Sequence, residues 1–148
     1  MKSFKIAIAA TGLMLGTALA TSVTAQESSY KPGPVWEVSG IDIMPGQFEN
    51  YMDYLSSTWK KVQELGKAEG IVVDYHVLTT NNRRKGEPDM YLVVVYRDYQ
   101  TIAQQEAFEK KVNAMMTQDR RKATVASAER GKMREQIGSS ELQELVLK

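Results

Sequence analysis

Apolar and polar positions alternate from Val35 to Ile43, in the run Val-Trp-Glu-Val-Ser-Gly-Ile-Asp-Ile, which predicts a β-strand with Gly40 suited to a bulge. Pro45-Gly46 ends it. The period then changes: Phe48, Tyr51, Met52, Leu55, Trp59, Val62 and Leu65 recur at spacings of three and four. They form one apolar stripe, with Glu49, Asp53, Lys60, Lys61 and Glu64 on other faces, which predicts an amphipathic helix. Gly66 or Gly70 supplies the left-handed residue that stops it.

Two runs rich in β-branched and aromatic residues follow, Ile71 to Thr80 and Met90 to Tyr99, joined by a polar segment with Asn81, Asn82, Gly86 and Pro88. They predict an antiparallel hairpin. In the second run Leu92, Val94 and Tyr96 fall on one side and Tyr91, Val93 and Val95 on the other, so both faces are expected to be covered. Thr101 and Gln104 form a capping box ahead of a helix with Phe108, Val112 and Met115 on its inner face. A further helix is predicted from about Gln118 to Gln136, with Ala123, Ala126, Met133 and Ile137 at heptad-like spacing before Gly138. Gly131 within it costs about 1 kcal/mol relative to Ala and is a point of weakness. Leu142, Leu145, Val146 and Leu147 predict a short closing strand.

The predicted order is a β-α-β-β-α-β pattern of α+β class, a ferredoxin-like sandwich with a four-stranded antiparallel sheet and helices on one face. Such a sheet leaves its other face open, and strands apolar on both sides would expose that face to water. Pairing two sheets removes the exposure, so a two-fold homodimer is expected.

The strand order, the Pro45-Gly46 lead into a helix carrying Tyr51 and Trp59, and the closing run Glu141-Leu-Gln-Glu-Leu-Val-Leu-Lys resemble the dimeric α/β-barrel superfamily. That superfamily includes antibiotic-biosynthesis-type monooxygenases, haem-degrading enzymes and stress-responsive A/B-barrel domains. The resemblance covers most of the chain beyond residue 25 and implies a dimeric barrel with a small-molecule cavity between sheet and helices. It implies a shape more than a chemistry.

The N-terminus adds an address. Lys2 and Lys5 precede an apolar stretch from Ile6 to about Ala20, and Val23-Thr24-Ala25 places small side chains where signal peptidase accepts them. Cleavage is expected between Ala25 and Gln26. The apolar stretch, at about 15 residues, is shorter than the span a bilayer core needs. The expected organisation is a signal peptide over 1–25, a flexible leader over 26–34 and one α+β domain over 35–148, periplasmic or secreted, without a stable membrane anchor after processing.

The chain contains no cysteine, which excludes disulfides, thiol catalysis, thiolate metal sites and a lipoprotein anchor. Its net charge is +1, and loss of Lys2 and Lys5 would leave it slightly acidic, so nucleic acid is not an expected partner. Arg83-Arg84-Lys85 is followed by Glu87 and Asp89 and reads as a solvated hairpin tip.

His76 is the only histidine, and Asp74 lies two positions away on the same strand face. An Asp beside an imidazole can orient a general base, whereas the structural alternative is a polar couple at a dimer seam or strand edge. Arg97 offers a carboxylate ligand a partner, or pairs with Asp98, Asp74 or Glu37. Trp36, Tyr75, Tyr91 and Tyr96 are candidates for an aromatic cavity, while Trp59 fits the helix stripe. Adjacent Met115 and Met116 point about 100° apart on a helix, which makes a poor copper site and favours packing. No metal or cofactor is expected. Asp74, His76, Arg97 and Trp36 define the candidate cavity for a small apolar or aromatic ligand. The readings left open are a non-catalytic dimeric module, a small-molecule binder or a monooxygenase- or isomerase-like enzyme working near His76, and an accessory subunit of another exported protein.

Overall fold

In the computed structural model, which describes residues 27–148, the elements run β1 (Tyr30–Ile43), α1 (Phe48–Tyr54), a π-helical turn (Leu55–Trp59), α2 (Lys60–Ala68), β2 (Val72–Thr79), β3 (Met90–Tyr96), α3 (Ile102–Met115), α4 (Arg120–Gly131) and β4 (Arg134–Leu147). The signal segment and the expected cut between Ala25 and Gln26 lie outside the described residues. No described helix is long and apolar enough to cross a membrane.

The strands form one antiparallel sheet of order β2-β3-β1-β4, the ferredoxin-like arrangement that the alternation of periods predicts. Ile41, Met90 and Leu92 on its helix side bury themselves with Tyr51 and Leu55 of the first helix, and Val35 is buried farther along the same side. Each such side chain removed from water contributes about 1.5–3 kcal/mol. That packing holds α1 and α2 against the sheet. By contrast α3 and α4 bury no residue, and the gaps beneath them are the cavities described below.

Four boundaries differ from expectation. Strand β1 begins at Tyr30, so residues 30–34 are strand where a flexible leader was expected: Tyr30, Lys31 and Pro32 pair with Leu147, Val146 and Leu145. Pro32 is tolerated because β3 pairs with β1 only from Val35 onward and a register shift separates Pro32 from Val35. Strand β3 stops at Tyr96, three residues short of Tyr99. The last helix stops at Gly131 where a helix to Gln136 was expected, because the chain from Arg134 onward is taken up by β1, opposite Ile43 to Tyr30, and the closing strand becomes a long one. The bulge expected at Gly40 falls on the partner strand instead: Gly40 pairs with Gly138 and Ile41 with Gln136, so the extra residue is Ile137 of β4.

The fourth difference lies inside the first helix. Its π turn inserts one residue into the period, so the buried positions run Tyr51, Leu55, then Gln63 and Gly66, with Val62 only half-buried. Ser56 and Ser57 donate to the Asp53 carbonyl at 3.0 and 2.6 Å, serving a carbonyl at the wider turn. Gly66 is interior: a Cβ there would lie 2.6 Å from Val72 Cγ2, so this glycine brings α2 close to β2. Gly70, with φ +70°, makes the left-handed turn after the helix. The Thr101–Gln104 capping box forms as expected. On α3, Phe108 and Val112 are half-buried, whereas Met115 is exposed and Met116 takes the inward place.

Candidate functional site

Strand register divides the candidate residues between two faces. Trp36 lies opposite Val95, Asp74 opposite Val95 on the other side, and His76 opposite Val93, which places all three on the face away from the helices. There the Trp36 and His76 rings stack with centroids 6.4 Å apart and planes 19° from parallel. His76 Nε2 is 3.7 Å from Asp74 Oδ2, and Lys67 Nζ is 3.5 Å from Asp74 Oδ1. The Tyr75 backbone N–H donates to Asp74 at 2.9 Å and holds its carboxyl below the usual range, with His76 and Lys67 adding to the effect. Trp36 Nε1 donates to Glu144 of β4 at 2.9 Å. These groups form a polar seam across an open sheet face.

Arg97 stands elsewhere. It donates from Nε to the Gly70 carbonyl at 2.9 Å and borders a cavity of about 350 Å³ with Glu69, Phe108 and Lys111. Its expected pairing with Asp98, Asp74 or Glu37 is absent among the described residues. The four expected site residues therefore divide into a cluster of three on the open face and one on the helix side.

The stronger site lies between the sheet and the helices, on the face of β1 that alternation assigned to Glu37, Ser39 and Ile41. A cavity of about 230 Å³ is walled there by Glu37, Ser39, Tyr51, Gln63, Arg130 and Arg134. Each polar wall residue has a structural origin. Glu37 and Ser39 alternate inward along β1; the π turn carries Gln63 in; Arg130 closes α4; Arg134 opens β4 opposite Ile43.

Two buried polar atoms in this wall have no hydrogen-bond partner: the Tyr51 hydroxyl, on a residue with 0 % exposure, and Arg134 Nε. Burial pushes the Tyr51 phenol above its ordinary pKa, while the nearby Arg134 and Arg130 guanidinium groups pull it back. The Arg134 guanidinium lies close enough to act on that phenol without an aligned bond to it. Arg130 sits over the Tyr54 ring at 5.5 Å. Neither arginine is in a salt bridge among the described residues, whereas Arg83 bridges Asp89 and Asp42 at 2.7 and 3.0 Å. Arg83 thus clamps the hairpin to β1 and is not merely solvated.

At the other side of the cavity Tyr96 donates to Glu37 at 3.1 Å. Burial first, then the Glu37 and Glu141 charges, push its phenol well above the ordinary value. An unpaired buried donor costs about 1–3 kcal/mol, so the Tyr51 hydroxyl and Arg134 Nε tax the fold, while the guanidinium groups of Arg130 and Arg134 are the cationic groups on the cavity wall. A site of this kind can hold an oxyanion through charge-assisted bonds. No group of three or more His, Cys, Asp or Glu side chains suited to a metal occurs among the described residues.

Sequence reasoning offered Tyr96 only as one of several rings for an aromatic cavity and missed Arg130, Arg134 and Gln63, because the first two lay in a segment taken for continuous helix and the third outside the apolar stripe. The Arg-rich ends of an otherwise weakly amphipathic stretch were the available clue.

The strand order and the helix-backed polar cavity define a ferredoxin-like α+β protein. Among solved structures the chain is similar to PA3566 from Pseudomonas aeruginosa, with 14% identity and a TM-score of 0.42 over 78% of this chain and 96% of that one. It is also similar to a NipSnap-family protein of unknown function from Agrobacterium tumefaciens strain C58, with 11% identity and a TM-score of 0.43 over 78% of this chain and 90% of that one. No family model matches the chain. No curated protein matches it either.

Proposed function

We propose that the protein is an exported, homodimeric binding module of dimeric-barrel type that holds a small oxyanion-bearing molecule, such as a carboxylate, between its sheet and helices. The observation that carries the binding site is the pair of guanidinium groups, Arg130 and Arg134, on the wall of one cavity and without a salt-bridge partner among the described residues. Preorganised cationic donors without a counter-charge are stabilised by a ligand that supplies one. Ligand retention is the reading preferred to chemistry, since the His76–Asp74 couple lies on the opposite face of the sheet from this cavity.

Dimerisation is supported by the open face. Leu78 and Leu142 lie exposed there, with the exposed Ile137 beside Gly40. Residues 30–32 and 145–147 extend past β3 as a two-stranded arm with Tyr30, Leu145 and Leu147 exposed. An isolated ribbon of this kind is marginal in water, and a second copy would cover it. The Trp36–His76–Glu144 seam would then lie at the dimer centre.

The binding reading is tested by titrating the purified protein with 3-phenylpropionate while following Trp59, which borders the cavity. A saturable change that disappears in Arg134→Gln is expected. No response in the parent protein, or an equal response in Arg134→Gln, would remove it.

A further inference from the structure

Besides its two arginines, the wall of the helix-side cavity carries a buried side chain with nothing inside the protein to bind. Gln63 is 7% exposed, and its amide makes no side-chain hydrogen bond among the described residues. The Tyr51 hydroxyl and Arg134 Nε are sealed within the wall, whereas the Gln63 amide keeps open surface, and the space it lines is this cavity. A buried amide in that state costs the empty protein stability, because it has given up water and gained no partner. The π turn puts it there, where the ordinary helical period would have brought Val62.

The sheet side of the cavity is polar too, and much of it is already committed. Arg134 Nη1 donates to Gln136 Oε1 at 3.4 Å, Gln136 Nε2 donates to Ser39 Oγ at 3.3 Å, and Ser39 Oγ meets Ser139 Oγ at 3.2 Å. Glu37 accepts from the Tyr96 hydroxyl through Oε2, which leaves Oε1 without a partner among the described residues. What remains uncommitted is two guanidinium groups without a counter-charge, an amide that both donates and accepts, and a carboxylate oxygen that accepts. The arginines call for an oxyanion. Gln63 and Glu37 call for hydroxyl groups, which donate as well as accept, because a bare hydrocarbon would leave both unserved. At about 230 Å³ the space is smaller than the ~300–1,000 Å³ of drug-sized sites and suits a single small ring, with the Trp59 indole as its apolar wall. We infer that the cavity is a site for a small hydroxylated carboxylate of sugar-acid type, its carboxylate toward Arg130 and Arg134, its hydroxyls toward Gln63 and Glu37, and its carbon ring beside Trp59. This inference rests on the oxyanion-binding reading of the same cavity and adds the hydroxyl groups.

A matched series separates the two. Glucuronate carries carboxylate and hydroxyls on one ring, cyclohexanecarboxylate lacks the hydroxyls, and glucose lacks the carboxylate. Calorimetric titration of the purified protein is expected to give glucuronate an affinity at least about tenfold above either analogue, because a site built to bond a hydroxyl discriminates against a ligand without one. Gln63→Leu occupies the same place without polar atoms, so it should keep or raise the urea midpoint while weakening glucuronate about tenfold. Glu37→Gln keeps an acceptor for Tyr96 and should weaken glucuronate in the same direction, which decides the matter independently should Gln63→Leu fail to fold. Glucuronate binding no tighter than cyclohexanecarboxylate, or unchanged glucuronate binding in a folded Gln63→Leu variant, would overturn the hydroxylated ligand and leave the oxyanion reading standing. No binding of either carboxylate would overturn both, and glucose binding as tightly as glucuronate would overturn the placement of the carboxylate at the arginines.

Discussion

Tyr51 and Gly66 show how much single positions carry in this chain. The Tyr51 hydroxyl is buried without a partner, a feature that costs stability in the empty protein. Tyr51→Phe is expected to be neutral or to stabilise by about 1 kcal/mol in urea unfolding. Marked destabilisation would show instead that the hydroxyl serves the fold. Gly66→Ala would ordinarily favour a helix by about 1 kcal/mol. Here the new methyl would meet Val72 Cγ2 at 2.6 Å, so a net loss of about 1–3 kcal/mol is expected from the same measurement. Tyr96 contributes to alkaline behaviour. Its folded pKa lies above the ordinary 10.0, so its contribution is complete below about pH 10 and is lost as pH rises towards the folded value, because the unfolded chain releases its proton first. Denaturation midpoints measured on either side of pH 10 should fall with a slope of about 1.4 kcal/mol per pH unit from this group, and Tyr96→Phe should remove that share.

The first helix and the closing strand are where local pattern and observed structure part. The π turn gives the helix one residue more than the α period allows and thereby brings Gln63, not Val62, to the buried side. Deleting Ser57 should restore the ordinary period and rotate Gln63 off the cavity. Helical circular dichroism should persist while the Trp59 response to 3-phenylpropionate is lost; an unchanged response would mean that the turn does not build the site. Strand β4 owes its length to pairing with the whole of β1, including the Tyr30–Pro32 arm, and not to its own composition, which is largely polar and exposed.

For the molecule as a whole, the open sheet face and the projecting arm carry the case for two copies. Leu142 is 54% exposed on that face, so Leu142→Glu would cost a lone chain little. Sedimentation is expected to show a dimer for the parent protein and a folded monomer for Leu142→Glu. A monomeric parent would sink the face-to-face pairing, whatever the cavity binds. Because the cavity lies on the helix side, a folded monomeric variant should retain the carboxylate probe.

What local chemistry dictates was legible in the sequence. A period of two in Val35–Ile43 and Met90–Tyr96, a period near 3.6 from Phe48 and a capping box at Thr101 are written in neighbouring residues, and together they yield the α+β order and the ferredoxin-like sheet. The candidate site was legible only in fragments, such as Asp74 beside His76, because two residues on one strand share a face wherever that strand lies. Which face Trp36 joins, that Arg97 stands apart, and that Arg130, Arg134, Gln63 and Tyr51 meet across one cavity depend on contacts between residues distant in the chain. Strand register, one inserted residue in a helix and the pull of β1 on residues 134–147 decided those, and long-range pairing of this kind leaves no periodic trace for sequence to show.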